Sequence, residues 1–286
     1  MKILVTGGNG QVGSELKDIS FQNYSYNWVF SDVTEFDLTN LNRIQNFLDK
    51  VNPDIIVNCA AYTDVDNAEK EFELAEIINS KAVDKISKWS SKNNSKLIHL
   101  STDYVFDGNS SIPLGEEAKT CPLNIYGKTK LQGEINCLNN DSNSIIIRTS
   151  WVYSQYGKNF VKTMRNLMFK NKTLNIVMDQ IGSPTYAKDL ANAILQIISH
   201  NEWVPGIFHF TNKGEISWFD FARLVKKYFE FDVKINPVSS SFFPTIAKRP
   251  SYNLLDKTKI SKTYGIIIKK YEFSLEKFIK ILKNEK

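Results

Sequence analysis

Short apolar runs alternate with longer amphipathic stretches through the first half of the chain. Ile3-Leu4-Val5, Tyr26 to Phe30, Asp54 to Cys59, Lys96 to Ser101 and Ser144 to Arg148 are the runs. An apolar run without polar alternation predicts a strand covered on both faces. Between the runs, helical spacing predicts helices from about Gln11, over Leu41 to Val51, around Ala68 to Lys70, from Leu74 to Lys92 and over Tyr126 to Glu134. This alternation predicts an α/β fold, a Rossmann-type doubly wound parallel sheet with right-handed crossovers.

Past about residue 155 the pattern changes. A helix over Asn159 to Phe169 precedes a short strand, Leu174 to Val177. A helix over Tyr186 to Ile198 is placed to pack back on the first domain, and Gly206 to Phe210 reads as a strand. Trp218 to Tyr228 is helical with Ser217 as N-cap. Phe242 to Thr245 reads as loop around its proline. A final helix opens at Ser274 and ends in Lys283 to Lys286. Few parallel-sheet signals remain, which predicts a smaller α+β substrate lobe. The division expected is a Rossmann-type domain over 1–154 and about 184–200, and the smaller lobe over about 155–183 and 201–286.

Composition narrows the class. With 286 residues, 42% hydrophobic and 23% charged, the chain suits a globular protein of one large domain or two modest ones. No run of ~18 apolar residues exists to span a membrane. The N-terminus turns to glycine too soon for a secretory signal, so the cytoplasm is the expected location. Cys59, Cys121 and Cys137 lack metal-ligand spacing, as do His99, His200 and His209, and no metal site is assigned. For His99 and His209, both in strand-like runs, packed or hydrogen-bonded roles are expected. The net charge of +5 is mild and its lysines are scattered. No nucleic-acid partner is implied, whereas a small anionic substrate is.

The first strand runs into Thr6-Gly7-Gly8-Asn9-Gly10-Gln11-Val12-Gly13. Glycines three apart permit a tight turn and let backbone N–H groups approach a pyrophosphate at a helix N-terminus. Gly7, Asn9, Gly10, Gln11, Val12 and Gly13 are therefore candidate cofactor contacts. Asp32, about 20 residues on, can bind an adenosine ribose, and no arginine adjoins it for a 2′-phosphate. That leans towards NADH and leaves NADPH open. Asp37 and Leu38 are placed to flank an adenine. Ala60, Ala61 and Tyr62, after the third strand, would let backbone reach the cofactor.

Tyr126 and Lys130 lie one helical turn apart. The free phenol titrates near ~10, and a neighbouring cation favours the phenolate, so the pair suits proton exchange with an alkoxide. The same spacing also arises on ordinary amphipathic helices. Ser101-Thr102-Asp103-Tyr104 follows a strand end, where open α/β sheets bind ligands, and Thr102 can offer a hydroxyl to a bound carbonyl.

Taken with Asn58 to Asp66, Arg148 to Tyr153, Asp179 to Thr185 and Lys248-Arg249-Pro250, these motifs resemble the extended short-chain dehydrogenase/reductase family over nearly the whole chain. Within it the chain looks like the reductases of dTDP-4-keto-6-deoxy sugars. The resemblance implies an NAD(P)H-dependent oxidoreductase that reduces the C4 ketone of dTDP-4-dehydro-L-rhamnose to dTDP-L-rhamnose, a cell-surface polysaccharide precursor. It implies a triad of Thr102, Tyr126 and Lys130, with Tyr126 as proton donor and Lys130 holding the nicotinamide ribose and lowering the Tyr126 pKa. Asp103, Tyr104 and Trp151 match positions used around the sugar, and Arg249 is the first choice for the diphosphate. Lys162 and Arg165 are weaker choices. Asn253 departs from the serine the family commonly has there. Some relatives bind Mg²⁺ and dimerise through acidic side chains; Glu15 matches one such position, no further ligand is placed, and a homodimer stays open. Two other readings remain: a reductase or epimerase of another deoxysugar nucleotide, and a non-catalytic NADP-binding subunit like that of methionine adenosyltransferase. A 4,6-dehydratase is disfavoured, because Tyr104 stands where those enzymes carry glutamate.

Overall fold

Each apolar run becomes a strand whose successive side chains face opposite layers. In the computed structural model, which describes residues 1–22 and 25–284, the elements in chain order begin with β1 (Lys2–Thr6), α1 (Gln11–Ser20), β2 (Asn27–Ser31), α2 (Leu41–Val51) and β3 (Ile55–Asn58). Then come α3 (Val65–Ala68), α4 (Phe72–Glu76), a π-turn (Ile77–Lys81), α5 (Ala82–Lys92), β4 (Lys96–Thr102), α6 (Ile125–Asn140) and β5 (Ile145–Thr149). The second half contains β6 (Val152–Tyr153), α7 (Phe160–Lys170), β7 (Thr173–Val177), β8 (Ile181–Gly182), β9 (Thr185–Tyr186), α8 (Ala187–Ser199) and β10 (Gly206–His209). It closes with β11 (Ile216–Ser217), α9 (Trp218–Phe229), β12 (Lys234–Val238), α10 (Thr258–Tyr264) and α11 (Tyr271–Asn284). Of the lysine-rich end expected for the last helix, Glu285 and Lys286 lie outside the described residues.

Six strands form a parallel sheet among the described residues, in the order β2-β1-β3-β4-β5-β10. Ile3, Val5, Ile55, Val57, Ile98, Leu100, Ile145, Ile147 and Phe208 face a layer containing α1, α8 and α10. Leu4, Ile56, Leu97 and Ile146, one position out of phase, face α2 and α5. The doubly wound expectation therefore holds, and the unalternating runs are its cause. The order reverses between β1 and β3, and that switch point opens a crevice at the carboxyl ends of the strands.

The second lobe gathers its own core, in which Tyr153, Met164, Phe221, Val225, Leu275 and Phe278 pack together. Its β7 and β12 pair in parallel, and Pro237 is accommodated in this two-stranded sheet, where only one neighbour needs an N–H. The boundary expected for the lobe needs a correction. Residues 206–209 join the main sheet beside β5, with Gly206 opposite Ile145, and Ile260, Tyr264 and Ile266 lie in the Rossmann core. The run Gly206–Phe210 marks a strand, but its partner is set by a pairing some sixty residues distant, which no local pattern encodes.

Helix α6 is fixed to the sheet by buried charge. Glu134 accepts two bonds from Arg148 Nε, at 2.9 and 3.1 Å, and one from Nη2 at 2.6 Å. Ser101 Oγ donates to the same carboxylate at 2.5 Å. The two ionic side chains are 3% and 2% exposed, so removing one leaves the other desolvated. Arg148→Met is expected to destabilise the fold by about 3–5 kcal/mol in urea titrations, and Arg148→Met with Glu134→Leu to recover most of it.

Candidate active site

At the switch point the glycines do steric work. Gly7 has φ +64°, and a Cβ there would lie 2.9 Å from the Ala60 backbone. A Cβ on Gly13 would lie 2.2 Å from the Gly7 carbonyl oxygen. Helix α1 starts at Gly10 with no side-chain cap and no acidic residue in its first turn. Its amide N–H groups are thus presented to an anion. Asp32 directly follows β2 and accepts the Asn9 N–H at 2.8 Å, so it buttresses the glycine turn.

The other expected cofactor residues divide. Gln11 reaches the second lobe, donating to Val152 O at 3.3 Å and accepting from Asn159 Nδ2 at 3.1 Å. Val12 belongs to the core. The Leu38 side chain packs in the core with Phe36, Ile44 and Leu48, which leaves only its backbone for an adenine. Asp37 is exposed and accepts from the Thr39 N–H and hydroxyl. Ala60, Ala61 and Tyr62 line the crevice half-buried, and Asn79 in the π-turn clamps Tyr62 through its N–H and carbonyl.

Tyr126 opens α6 beyond Asn124, whose side chain caps the Gly127 N–H at 2.8 Å, while Glu69 accepts the Ile125 N–H at 2.8 Å. Together they satisfy the helix N-terminus and fix where its first turn points. The Tyr126 hydroxyl faces Thr102, which ends β4, and the Tyr104 ring meets the Tyr126 ring edge-on at 5.6 Å. Burial pushes the Tyr126 phenol up to about 12; the Thr102 hydroxyl opposes this and the Asp103 carboxyl adds to it. Lys130 is not part of that balance, so the expected lowering of Tyr126 by Lys130 is absent here. The amine instead donates to Leu100 O at 2.6 Å and lies 3.4 Å from His99 Nε2. Burial draws Lys130 down to about 8, with Glu134 opposing.

Asp103 and Tyr104 follow β4, and Trp151 follows the neighbouring end of β5, where Thr102 pairs with Thr149. Asp103 is 2% exposed, and burial pushes its carboxyl up to about 7. Trp151 adopts φ +48°, a left-handed backbone uncommon for a bulky residue, and stacks on Trp218 with centroids 3.4 Å apart. Arg249 forms a two-pronged pair with Asp66 at 3.1 and 2.7 Å and also donates to the Ala247 carbonyl at 3.2 Å. Its guanidinium stands by the site, already paired. Lys162 is spent on the carbonyls of Gln155 and Gly157, and Arg165 lies over the Phe229 ring, so neither joins the site. Glu15 is wholly buried against Ser154 at 2.6 Å and offers no exposed ligand.

Sequence reasoning named Asn58 only within a motif and missed the roles of Asn79 and Trp218 and the contact made by Asn253, while the hydrogen-bonded role expected for His99 holds. Asn58 links Thr6 of β1 to His99 Nδ1 at 2.6 and 3.0 Å, and His99 reaches Lys130. Polar residues inside otherwise apolar strands were the available signal, since buried polar groups need partners.

A family whose description reads RmlD substrate binding domain matches residues 1–284. A dTDP-4-dehydrorhamnose reductase of Aggregatibacter actinomycetemcomitans is 40% identical over 275 residues, 93% of this chain and 94% of the relative. The crystal structure of a dTDP-4-dehydrorhamnose reductase from Clostridium acetobutylicum superposes with a TM-score of 0.95 at 37% identity, covering 99% of this chain and 100% of that one. A reductase of the same name from Bacillus anthracis, in complex with NADP, gives 0.93 at 36% identity, covering 98% and 99%.

The buried histidines tie stability to pH. Burial holds His99 well below its ordinary range, and His209 is drawn down to about 3 by burial and by Arg148. Both therefore fold neutral, and their contribution is present above the unfolded value of about 6.5 and lost as pH falls below it. His209→Asn is expected to flatten the decline in unfolding free energy between about pH 6 and about pH 4.5 by about 1.4 kcal/mol per pH unit, read from urea titrations.

Proposed function

The chain belongs to the RmlD family of dTDP-4-dehydrorhamnose reductases, and from that premise we propose how its own residues carry the reaction. It is an NAD(P)H-dependent oxidoreductase that reduces the C4 ketone of dTDP-4-dehydro-L-rhamnose, in the synthesis of dTDP-L-rhamnose for polysaccharide. The observation that carries the residue assignment is that Tyr126 faces Thr102 at the carboxyl end of β4, the same edge of the parallel sheet at which β1 runs into the glycine cradle.

The cradle fits a dinucleotide: side chains are excluded at Gly7 and Gly13, and the uncapped N-terminus of α1 faces outward. Gly7, Asn9, Gly10, Gln11 and Gly13 hold its pyrophosphate side, Asp32 and the backbone at Asp37 and Leu38 its adenosine side, and Ala60, Ala61 and Tyr62 the rest. When bound, the reduced nicotinamide supplies hydride to the C4 carbon. Tyr126 donates its phenolic proton to the C4 oxygen as charge develops there. A neutral phenol is the form required, and burial keeps it neutral throughout the physiological range. Thr102 hydrogen-bonds the same oxygen and adds electrostatic stabilisation. Lys130 leaves the Leu100 carbonyl to hold the nicotinamide ribose, and its ammonium then favours the phenolate left on Tyr126.

Around the sugar, Asp103 and Tyr104 supply polar edges and Trp151 a flat wall. Arg249 shares its guanidinium between Asp66 and the diphosphate. Among the described residues no helix is long and apolar enough to cross a membrane.

Tyr126→Phe is expected to lower kcat by about 10²–10⁴-fold with cofactor affinity unchanged, measured by absorbance of the reduced nicotinamide and by fluorescence titration. Undiminished turnover would remove Tyr126 as the acid. Lys130→Ala is expected to weaken cofactor binding and rate together, and a variant slowed at unaltered affinity would refute the ribose contact.

A further inference from the structure

A dTDP-sugar has three parts: the deoxysugar, the diphosphate and the thymine. Trp151, Asp103 and Tyr104 take the sugar and Arg249 the diphosphate in the assignment above, which leaves the base without a partner. We propose that Phe242 and Phe243 form the nucleobase subsite, stacking on the thymine from a strap that is tied to both the smaller lobe and α3. The proposal rests on the reductase reading above and names the residues that hold the far end of its substrate.

The strap, residues 239–250, is fixed along its length. At its start Asp179 accepts the Ser240 N–H through both carboxylate oxygens at 2.9 Å, and the Ser240 hydroxyl at 3.0 Å. Further on, Asp66 of α3 accepts the Ala247 N–H at 3.0 Å together with the two-pronged bond from Arg249. Just past its end, the Ile181 N–H donates to the Ser251 carbonyl at 2.8 Å and the Asn253 N–H to the Ile181 carbonyl at 3.0 Å. That end lies at the sugar. Asn253 donates to the Asp103 carbonyl, and Gly182, next to Ile181, is so close to Trp151 that a Cβ there would lie 3.0 Å from the indole. Followed backwards from Asn253, the chain therefore leaves the sugar end, passes Arg249 and comes to the two phenylalanines before it is tied to Asp179.

The chemistry of the strap changes along the same line. Ser239 to Pro250 contains no acidic residue, and its cations, Lys248 and Arg249, stand side by side at one end. Towards the other end, residues 241–246 are exposed throughout, and Phe242, Phe243 and Ile246 are 57%, 45% and 58% exposed. Cations at the sugar end and apolar rings beyond them match the polarity of a nucleoside diphosphate laid lengthwise. The two rings meet edge-on, with centroids 5.1 Å apart and planes at 79°. Such a pair leaves a ring face open to stack on a base and a second ring for the thymine methyl to touch. Because the run is tied on both sides, ordering the rings against a base costs less than it would on a free loop. Neither ring belongs to the apolar cores found among the described residues, so their exposure serves no packing role in the fold.

The test is calorimetric titration of dTDP into the NADPH-bound chain, comparing the wild type with a Phe242→Ala, Phe243→Ala double variant. NADPH affinity and kcat/KM for dTDP-4-dehydro-L-rhamnose are read on the same proteins. The double variant is expected to bind dTDP about 10–100-fold more weakly and to lose a similar factor in kcat/KM. Its NADPH affinity is expected to be unaltered, which also shows that it is folded. A Phe242→Tyr, Phe243→Tyr variant keeps both ring faces and is expected to bind dTDP like the wild type. Unaltered dTDP affinity in the alanine variant would overturn the subsite, and a changed oligomeric state alongside it would give the rings to a second copy of the chain instead. A loss shared equally by NADPH would overturn it as well. An inert wild type that still binds dTDP through the two rings would overturn the reductase reading and leave the subsite standing.

Discussion

The docking of α6 against the end of β4 is the constraint on which the site depends. A Cβ on Gly127 would lie 2.2 Å from the Tyr104 carbonyl oxygen, and one on Gly133 2.2 Å from that of Asn79. No side chain fits at either point, so the helix is held at backbone contact with the turn after β4 and with the π-turn. Glu134 and Arg148 set its register along the sheet. Tyr126 meets Thr102, and Lys130 reaches Leu100, because the helix lies this close. Displacements near 1 Å are enough to cost a proton-transfer site much of its rate. Close approach at glycines and a buried ion pair therefore contribute to chemistry they do not touch.

Burial at this junction acts on three titratable groups in the same sense, against charge. It raises Tyr126 and Asp103 and lowers Lys130. At the phenol, the carboxyl and the amine alike, burial favours the neutral form. Each needs only a local change to release or accept a proton. The simpler picture, of a lysine permanently lowering its tyrosine, does not describe this arrangement. The lysine is drawn under the Leu100 carbonyl of β4 instead.

The main sheet was legible because its strands announce themselves. Ile3-Leu4-Val5 and Ile145-Ile146-Ile147 have no polar face, and such runs fit only between two layers of helices. The glycine turn and the Tyr126–Lys130 spacing were legible for the same reason: each is a local pattern with a local cause. What stayed hidden depends on distance along the chain. The pairing of Gly206–His209 with β5 could not be read from either segment alone. Asn253 was visible as a departure from the family pattern, but its bond to Asp103 spans 150 positions. The stack of Trp218 on Trp151 and the commitment of Arg249 to Asp66 are of this kind too.

The smaller lobe is attached through residues that also border the chemistry. Arg249 joins Asp66, Asn124 Nδ2 bonds the Lys248 carbonyl at 2.9 Å at the start of α6, and Asn253 grips Asp103. On the opposite rim, Gln11 bonds Val152 and Asn159 beside the glycine turn. A lobe held only by remote packing could shift without disturbing Tyr126. This one cannot, since its anchors are the cap of the catalytic helix, a cofactor-loop residue and the neighbour of Thr102. In the proposed assignment, a diphosphate that draws Arg249 partly from Asp66 weakens one anchor while supplying a new one of its own. That assignment couples the binding energy of the nucleotide, far from the reacting carbon, to the placement of the groups proposed to protonate it. Trp151, in a backbone conformation its side chain disfavours, is kept there by Trp218 of the lobe, so the sugar wall is also set by how the lobe packs.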